Sequence, residues 1–342
     1  MLLFKPTEYD KHVYETELRD FLPDKIVDVH AHAWSVEHGW DFVETNGGSI
    51  WPQLVAKSMT PDELVESLKI LLPGKEVTPF VCGSCNCDTV YANEAVLEGK
   101  KKHGFPALYR TSYEMTGEEL EKAVIEGGYI GLKPYLTFCP PYIPIPEIRI
   151  FDFLPHEHLE VANKHGWVVL LHIARAERLR DKVNVAQLME IEERYPNVKL
   201  VVAHIGRAYA KEDIGDAFEI LGKTKNMVFD FAANLCDDAI RACIEAVGPK
   251  RLLFGADMPI ALMRMYRIVE NGVYYNIVPR GLYPNIAGVA HMRETDEKDI
   301  TIMYYEQIRA MKRVAEEMKL SRADIEDIFY NNAMRLMGKG EN

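Results

Sequence analysis

Short apolar runs recur along the chain, separated by longer stretches with a helical period. The runs fall at residues 25–29, 77–82, 107–111, 129–133, 167–171, 199–203, 227–231 and 251–254. They read as eight strand candidates. Between most of them the sequence is amphipathic and carries helix punctuation. Thr60-Pro61-Asp62-Glu63 offers a cap residue, a proline at the first helical position and acidic residues in the first turn. Thr116-Gly117-Glu118-Glu119 opens another helix, residues 181–195 form a third that stops at Pro196, and residues 237–247 form a fourth that stops at Gly248-Pro249. Strands alternating with helices imply parallel pairing through crossover helices. Eight such units point to a closed (β/α)₈ barrel in a single domain over residues 1–342.

Three segments exceed the minimal repeat: residues 38–59, residues 260–299, and residues 137–150 with Pro140, Pro141, Pro144 and Pro146. All follow strands, so all belong at the C-terminal face of the barrel, where long loops shape a substrate pocket. The chain shows no internal repeat and no low-complexity tract.

Composition narrows the partners. With 342 residues, 48% of them hydrophobic, the chain can bury a large core. The net charge is -12, and the strongest basic run, Lys100-Lys101-Lys102, reads as a solvated helix end. No patch suits a polyanion, so nucleic acid is not an expected partner. The first residues lack the apolar core and small-residue site of a secretory leader, and no window is apolar enough for a membrane span. Six cysteines in a chain of this length do not make a disulfide framework, which fits a reducing cytoplasm.

The candidate chemistry sits at the ends of the apolar runs. His30 and His32 follow the first run as Val29-His30-Ala31-His32. His172 ends Val168-Val169-Leu170-Leu171, His204 ends Leu200-Val201-Val202-Ala203, and Asp257 follows Leu252-Leu253-Phe254-Gly255-Ala256. Residues two apart on extended backbone point to one side, so both imidazoles of the His-x-His pair can reach one ion. One histidine at a strand end is ordinarily a packed core residue. Five metal-binding side chains, each at a strand end of one parallel barrel, converge on its mouth. Nitrogen and carboxylate donors suit zinc best, with manganese, iron or nickel as alternatives. A bound divalent ion would activate water, and His204 and Asp257 could exchange protons with it.

Lys133 ends the fourth run as Ile130-Gly131-Leu132-Lys133. It could hold an anionic substrate group, bridge two metals once carboxylated, or reach solvent along the rim. Cys82, Cys85 and Cys87 form a Cys-x-x-Cys-x-Cys cluster without an obvious fourth ligand, so thiols at the pocket rim are expected rather than a structural zinc site. Arg175 and Arg207 lie just beyond His172 and His204. Arg264, Arg267, Arg280, Tyr274, Tyr275 and His291 share the long segment after Asp257. Arginine forks match carboxylates, so a small organic acid is the expected substrate.

These residues resemble the amidohydrolase superfamily, in its branch of amidohydrolase-related proteins. The matching pieces are Ile26-Val27-Asp28-Val29-His30-Ala31-His32, Val169-Leu170-Leu171-His172, residues 195–206, residues 252–259 and residues 331–337. The resemblance spans about residues 25–337. It implies a distorted TIM barrel with one metal on His30, His32, His172 and Asp257, and with His204 orienting water or acting in acid–base chemistry. Members with a lysine on the fourth strand can hold a second metal, here on carboxylated Lys133, His172 and His204. The branch contains hydrolases of amides and lactones, decarboxylases of aromatic or unsaturated acids, and hydratases. Its decarboxylases often carry an acidic residue near the first strand. Here Ala33-Trp34 follows the pair, and Glu37 and Glu44 come later.

The leading expectation is hydrolysis of an amide, ester or lactone in a small carboxylated substrate. The alternative is metal-dependent non-oxidative decarboxylation, or hydration, of an aromatic or unsaturated acid. A barrel that keeps these residues only to bind is the third. Apolar loop residues 142–150 could pack across a homodimer or larger homo-oligomer.

Overall fold

The computed structural model describes residues 5–34, 55–56, 58–84, 88–283, 286 and 289–339. Among them the chain repeats a strand-then-helix unit eight times. The units are β1 (Lys25–Ala33) with α1 (Pro61–Leu71), β2 (Glu76–Gly83) with α2 (Thr89–His103), β3 (Leu108–Arg110) with α3 (Gly117–Gly127), and β4 (Gly131–Lys133) with α4 (His156–His165). They continue as β5 (Val168–Leu171) with α5 (Lys182–Arg194), β6 (Lys199–Val202) with α6 (Ala217–Leu221), β7 (Val228–Asp230) with α7 (Asp237–Val247), and β8 (Leu252–Leu253) with α8 (Met303–Met318).

Strands β3 to β8 form a parallel sheet in chain order, and β1 pairs with β2 in parallel. Hydrogen bonds join the two sheets on both sides. Val81 N donates to Pro106 O beside β3, and Val29 N donates to Phe254 O beside β8, each at 3.0 Å. The strands close into a distorted TIM barrel, as the alternation predicts.

Sequence signals for the helices hold in detail. Thr60 and Glu63 exchange hydrogen bonds at the start of α1, and Thr116 and Glu119 do the same for α3. Each such cap contributes on the order of 1 kcal/mol. Asp181 caps α5, whose last turn ends just before Pro196. Lys100, at the end of α2, donates to Gly127 O and Gly128 O and so fastens α2 to α3.

Val27, Val29, Phe80, Leu108, Val168, Leu170, Val201 and Leu253 fill the barrel interior. Ala333 packs on the same cluster, near Leu336, whose carbonyl accepts from Lys199 at the N-terminal end of β6. Val27 and Val29 point inward, so strict alternation would carry Ala31 inward and the two histidines outward. The pairing of β1 with β2 instead shifts register between Asp28 and Ala31. That irregularity resets the phase, and His30 and His32 turn into the mouth while Ala31 packs outside.

The sequence reading treats residues 260–299 as one long loop, and here the structure differs. The segment holds β9 (Tyr266–Glu270), antiparallel β10 (Val273–Pro279) and β11 (Met292–Thr295), which runs parallel to β10. The turn between β9 and β10 is Asn271-Gly272, with φ of 52° and 75°. Two left-handed residues in a two-residue turn match the twist of the flanking strands. Most of the insertion at residues 38–59, including Glu44, lies outside the described residues, as do Glu37, Cys85 and Cys87. Its end returns to β1, where Trp34 and Met59 exchange backbone hydrogen bonds at 2.7 and 3.0 Å. No described helix is long and apolar enough to cross a membrane.

Candidate active site

Backbone fixes the side chains before they meet. Asp257 N donates to His30 O at 2.7 Å, and the buried Asp28 carboxylate accepts from His30 N and Ala256 N at 3.1 and 2.8 Å. These contacts staple the chain after β8 to β1. Asp257 has a φ of 66°, and His204, Ile205 and Arg207 are also left-handed, at 58°, 49° and 61°. Each such residue costs on the order of 1 kcal/mol, and such costs cluster where side chains are aimed for chemistry. Asn234 offsets part of this cost. Its amide donates to His204 O and Ala208 O at 3.1 and 3.0 Å, spanning the left-handed turn.

His30, His32 and Asp257 form one close group of possible metal ligands, and His30, His204 and Asp230 form another. In each group the ligand-capable atoms lie within 4.8 Å of one another. His32 Nε2 is 3.0 Å from Asp257 Oδ1, and His30 Nε2 is 3.8 Å from the same oxygen. His30 Nδ1 is 3.0 Å from Asp230 Oδ2. His204 directs Nδ1 at Ala232 O, 2.7 Å away, so that nitrogen carries the proton and Nε2 keeps its lone pair. His172 stands outside both groups. Its ring centre is 5.1 Å from that of His204, and its buried Nδ1 has no hydrogen-bond partner among the described residues. All five predicted residues face one cavity of about 420 Å³ at the C-terminal end of the barrel.

Electrostatics suit a cation. Burial, reinforced by nearby cationic side chains, pulls His30 and His172 well below the usual imidazole range, and burial also lowers His204. Neutral imidazole is the form that ligates. Burial would raise the Asp257 carboxyl, but the His32 hydrogen bond and the imidazoles around it hold it well below the usual carboxylate range. At His32 burial lowers the pKa, yet Cys82 and Asp257 outweigh it and push it up to about 9. Asp257 thus faces His32 Nε2, and Cys82 and Tyr135 face His32 Nδ1. Three clustered ligand-capable side chains, a buried His172 ring nitrogen without a partner among the described residues and the neutral imidazoles of His30, His172 and His204 fit a divalent cation.

Lys133 is buried, not extended along the rim. Its Nζ is 3.3 Å from His30 Nε2 and 5.2 Å from the Tyr135 ring centre. Arg175 and Arg207 both line the cavity. Arg175 is braced by Asp181 at 2.9 Å and Arg207 by Ala174 O at 2.7 Å. The arginines after Asp257 divide three ways. Arg264 binds the buried Asp10 with both of its Nη atoms, Arg280 pairs with Asp296 on the surface, and Arg267 enters the cavity. Arg267 lies 4.8 Å from the ring centres of both Tyr209 and Tyr274 and donates to Ala233 O and Asn276 Oδ1 at 2.9 Å. Tyr274 stacks on His291 at 4.3 Å. Apolar side chains line the cavity as well, among them Trp34, Leu136, Ile145, Pro146, Ile260 and Met263.

Two groups at the site, Asp230 and Tyr135, escape the sequence reading, and Cys82, expected as a thiol at the pocket rim, is instead buried behind His32. Asp230 ends β7 and is wholly buried. A carboxylate inside the apolar run 227–231 is its signal. Cys82 Sγ and Tyr135 OH lie 3.1 and 3.0 Å from His32 Nδ1. Nothing local in the sequence marks either of them as a partner of His32.

A family model described as amidohydrolase matches residues 27–339. Solved structures share the fold at low identity. A probable 2-pyrone-4,6-dicarboxylic acid hydrolase from Acinetobacter baumannii, with citric acid bound, is 15% identical with a TM-score of 0.58, covering 92% of this chain and 99% of that one. A dihydroxybenzoic acid decarboxylase from a Polaromonas species, with manganese and 2-nitroresorcinol, is 14% identical with a TM-score of 0.56, covering 92% and 97%. An amidohydrolase from Burkholderia multivorans with bound zinc is 15% identical with a TM-score of 0.60, covering 92% and 99%. No curated protein sequence matches the chain.

Proposed function

The chain belongs to the amidohydrolase family and is an enzyme of that superfamily, and from that premise we propose that it hydrolyses an amide, ester or lactone bond in a small carboxylated substrate. The reading assigns one divalent metal, zinc by preference, to His30, His32, His172 and Asp257. Zinc and manganese in two structural neighbours support a divalent ion. When bound, the ion supplies Lewis acidity and lowers the pKa of water.

The observation that carries the proposal is the placement of Asp257, whose Oδ1 sits 3.0 Å from His32 Nε2 in the cavity that His30, His172 and His204 also line. A carboxylate in that position accepts the proton that water loses on attacking a carbonyl. Asp257 then returns that proton to the leaving group, while His204, with Nδ1 committed to Ala232 O, presents Nε2 as an acceptor that orients the attacking water. Lys133, Arg175, Arg207 and Arg267, which all line the cavity, orient a substrate carboxylate, while its apolar lining packs the rest of the substrate.

Decarboxylation on the same residues is the second reading. The cationic lining favours it, because it would hold a carboxylate in the same cavity as the ligand group. That reaction needs a proton delivered to carbon, and neither an ionised Asp257 nor His204, whose Nε2 is unprotonated, stands ready to donate one. The deciding experiment loads purified protein with Zn2+ or Mn2+ and offers lactones, amides, esters and aromatic or unsaturated carboxylic acids. Acid release without carbon dioxide is expected. Carbon dioxide release with no consumption of lactones, esters or amides would overturn the hydrolytic reading.

A further inference from the structure

We propose that Asp230 is a positioning residue: its single carboxylate selects which nitrogen of His30 faces the cavity and fixes the backbone that carries His204. The proposal builds on the metal-ligand reading, but its first observable is independent of metal.

Asp230 is wholly buried at the end of β7 and does not line the cavity, so its action runs through neighbours. Oδ2 lies 3.0 Å from His30 Nδ1. Burial raises this carboxyl, against His204 and the backbone N–H donors on Oδ1; as a carboxylate it only accepts, so Nδ1 carries the proton and Nε2 keeps its lone pair. That Nε2 is the nitrogen facing Asp257 and Lys133. The other oxygen, Oδ1, accepts from His204 N at 2.7 Å and Ala232 N at 3.0 Å. His204 is left-handed at φ 58°, a conformation that neighbouring bonds must hold. Ala232 in turn supplies the carbonyl that takes the His204 Nδ1 proton. One carboxylate thus spans β1, β6 and β7, and both imidazoles it controls keep Nε2 unprotonated. A carboxylate behind a metal-ligating histidine sets ring orientation and tautomer, and losing it typically weakens metal affinity about 10–100-fold.

The test is Asp230→Asn. The amide oxygen still accepts from His204 N and Ala232 N, but the amide nitrogen donates toward His30 Nδ1 and moves the ring proton to Nε2. Nitrogen-15 NMR of metal-free, histidine-labelled protein reads the tautomer directly, with His30 assigned by the resonance lost in His30→Gln. The wild type is expected as the Nδ1–H form and the variant as the Nε2–H form. Chelator competition with Zn2+ and Mn2+ should show affinity weakened about 10–100-fold in the variant. A wild-type His30 protonated on Nε2, or a folded variant with unchanged tautomer and metal affinity, overturns the proposal. If the variant does not fold, the wild-type tautomer decides. A wild type that binds neither metal but shows the expected tautomers would sink the metal reading and leave the role of Asp230 standing.

Discussion

His32 Nε2 and Asp257 Oδ1 stand 3.0 Å apart although 225 residues separate them in the chain. Barrel closure makes the contact, because the chain after β8 lies against β1 and is pinned there by the Asp257 N to His30 O bond. Two donors held without a ligand resemble a preformed site, and a preformed site converts binding energy into stability. At metal concentrations about 100 times Kd the gain is about 2.7 kcal/mol. Chelation should therefore lower the melting temperature of the metal-loaded wild type and leave Asp257→Ala unmoved. Equal shifts in the two proteins would argue against a metal on this residue.

His204 tests the division between binding and chemistry. If one metal sits on His30, His32, His172 and Asp257, His204→Asn keeps close to wild-type metal content and loses about 10²–10⁴ in turnover, the usual value of a placed acid or base. His172→Ala should lose metal and activity while the barrel stays folded. Metal analysis on both variants separates this from a two-metal site, in which His204→Asn would also lower the metal count.

The sequence exposes the parts that rest on local rules. Capped helices at Thr60 and Thr116, the strand ends carrying His30, His172, His204 and Asp257, and the stop at Pro196 all follow from spacing and residue type. What escapes it depends on contacts between distant segments. Asp230 reads as one more residue of an apolar run until His30, 200 positions away, is placed beside it. The register shift in β1 is invisible without β2. The sheet in residues 260–299 was within reach, since Asn271-Gly272 between Val269 and Val273 is a hairpin signal. The fates of Arg264, Arg267 and Arg280 were not, because all three look alike until Asp10, Tyr209 and Asp296 are located.

Arg267 reaches the cavity because it sits on β9 and is held by β10, where Asn276 accepts from its Nε. A guanidinium fixed in this way loses little freedom on binding an anion. Arg267→Met should raise KM for a carboxylated substrate about tenfold to a hundredfold, the scale of one charge-assisted hydrogen bond, with a smaller effect on kcat. Steady-state kinetics against the matching neutral analogue checks it. An equal loss on the neutral analogue would mean that Arg267 only supports the hairpin.

Arg264 is spoken for by Asp10, and that pair predicts how the fold responds to acid. Asp10 is fully buried, and its oxygens accept from Arg264 Nη1 and Nη2 at 2.9 and 2.7 Å, from Thr301 Oγ1 at 2.6 Å and from Thr7 N at 2.7 Å. Burial pushes this carboxyl up, but Arg264 and Thr301 outweigh it and hold it below the ordinary 3.8. A group whose folded pKa is depressed contributes its full stability above its unfolded value and loses it as pH falls through the folded one. Asp10→Asn should therefore cost about 1–3 kcal/mol at pH 7, since it takes the charge partner from the partly buried Arg264. The gap between wild type and variant should narrow as pH drops below about 4. Urea unfolding of both proteins at neutral and acid pH measures it. A gap that stays constant down to pH 2 would show that the bond is worth the same whether or not Asp10 is charged.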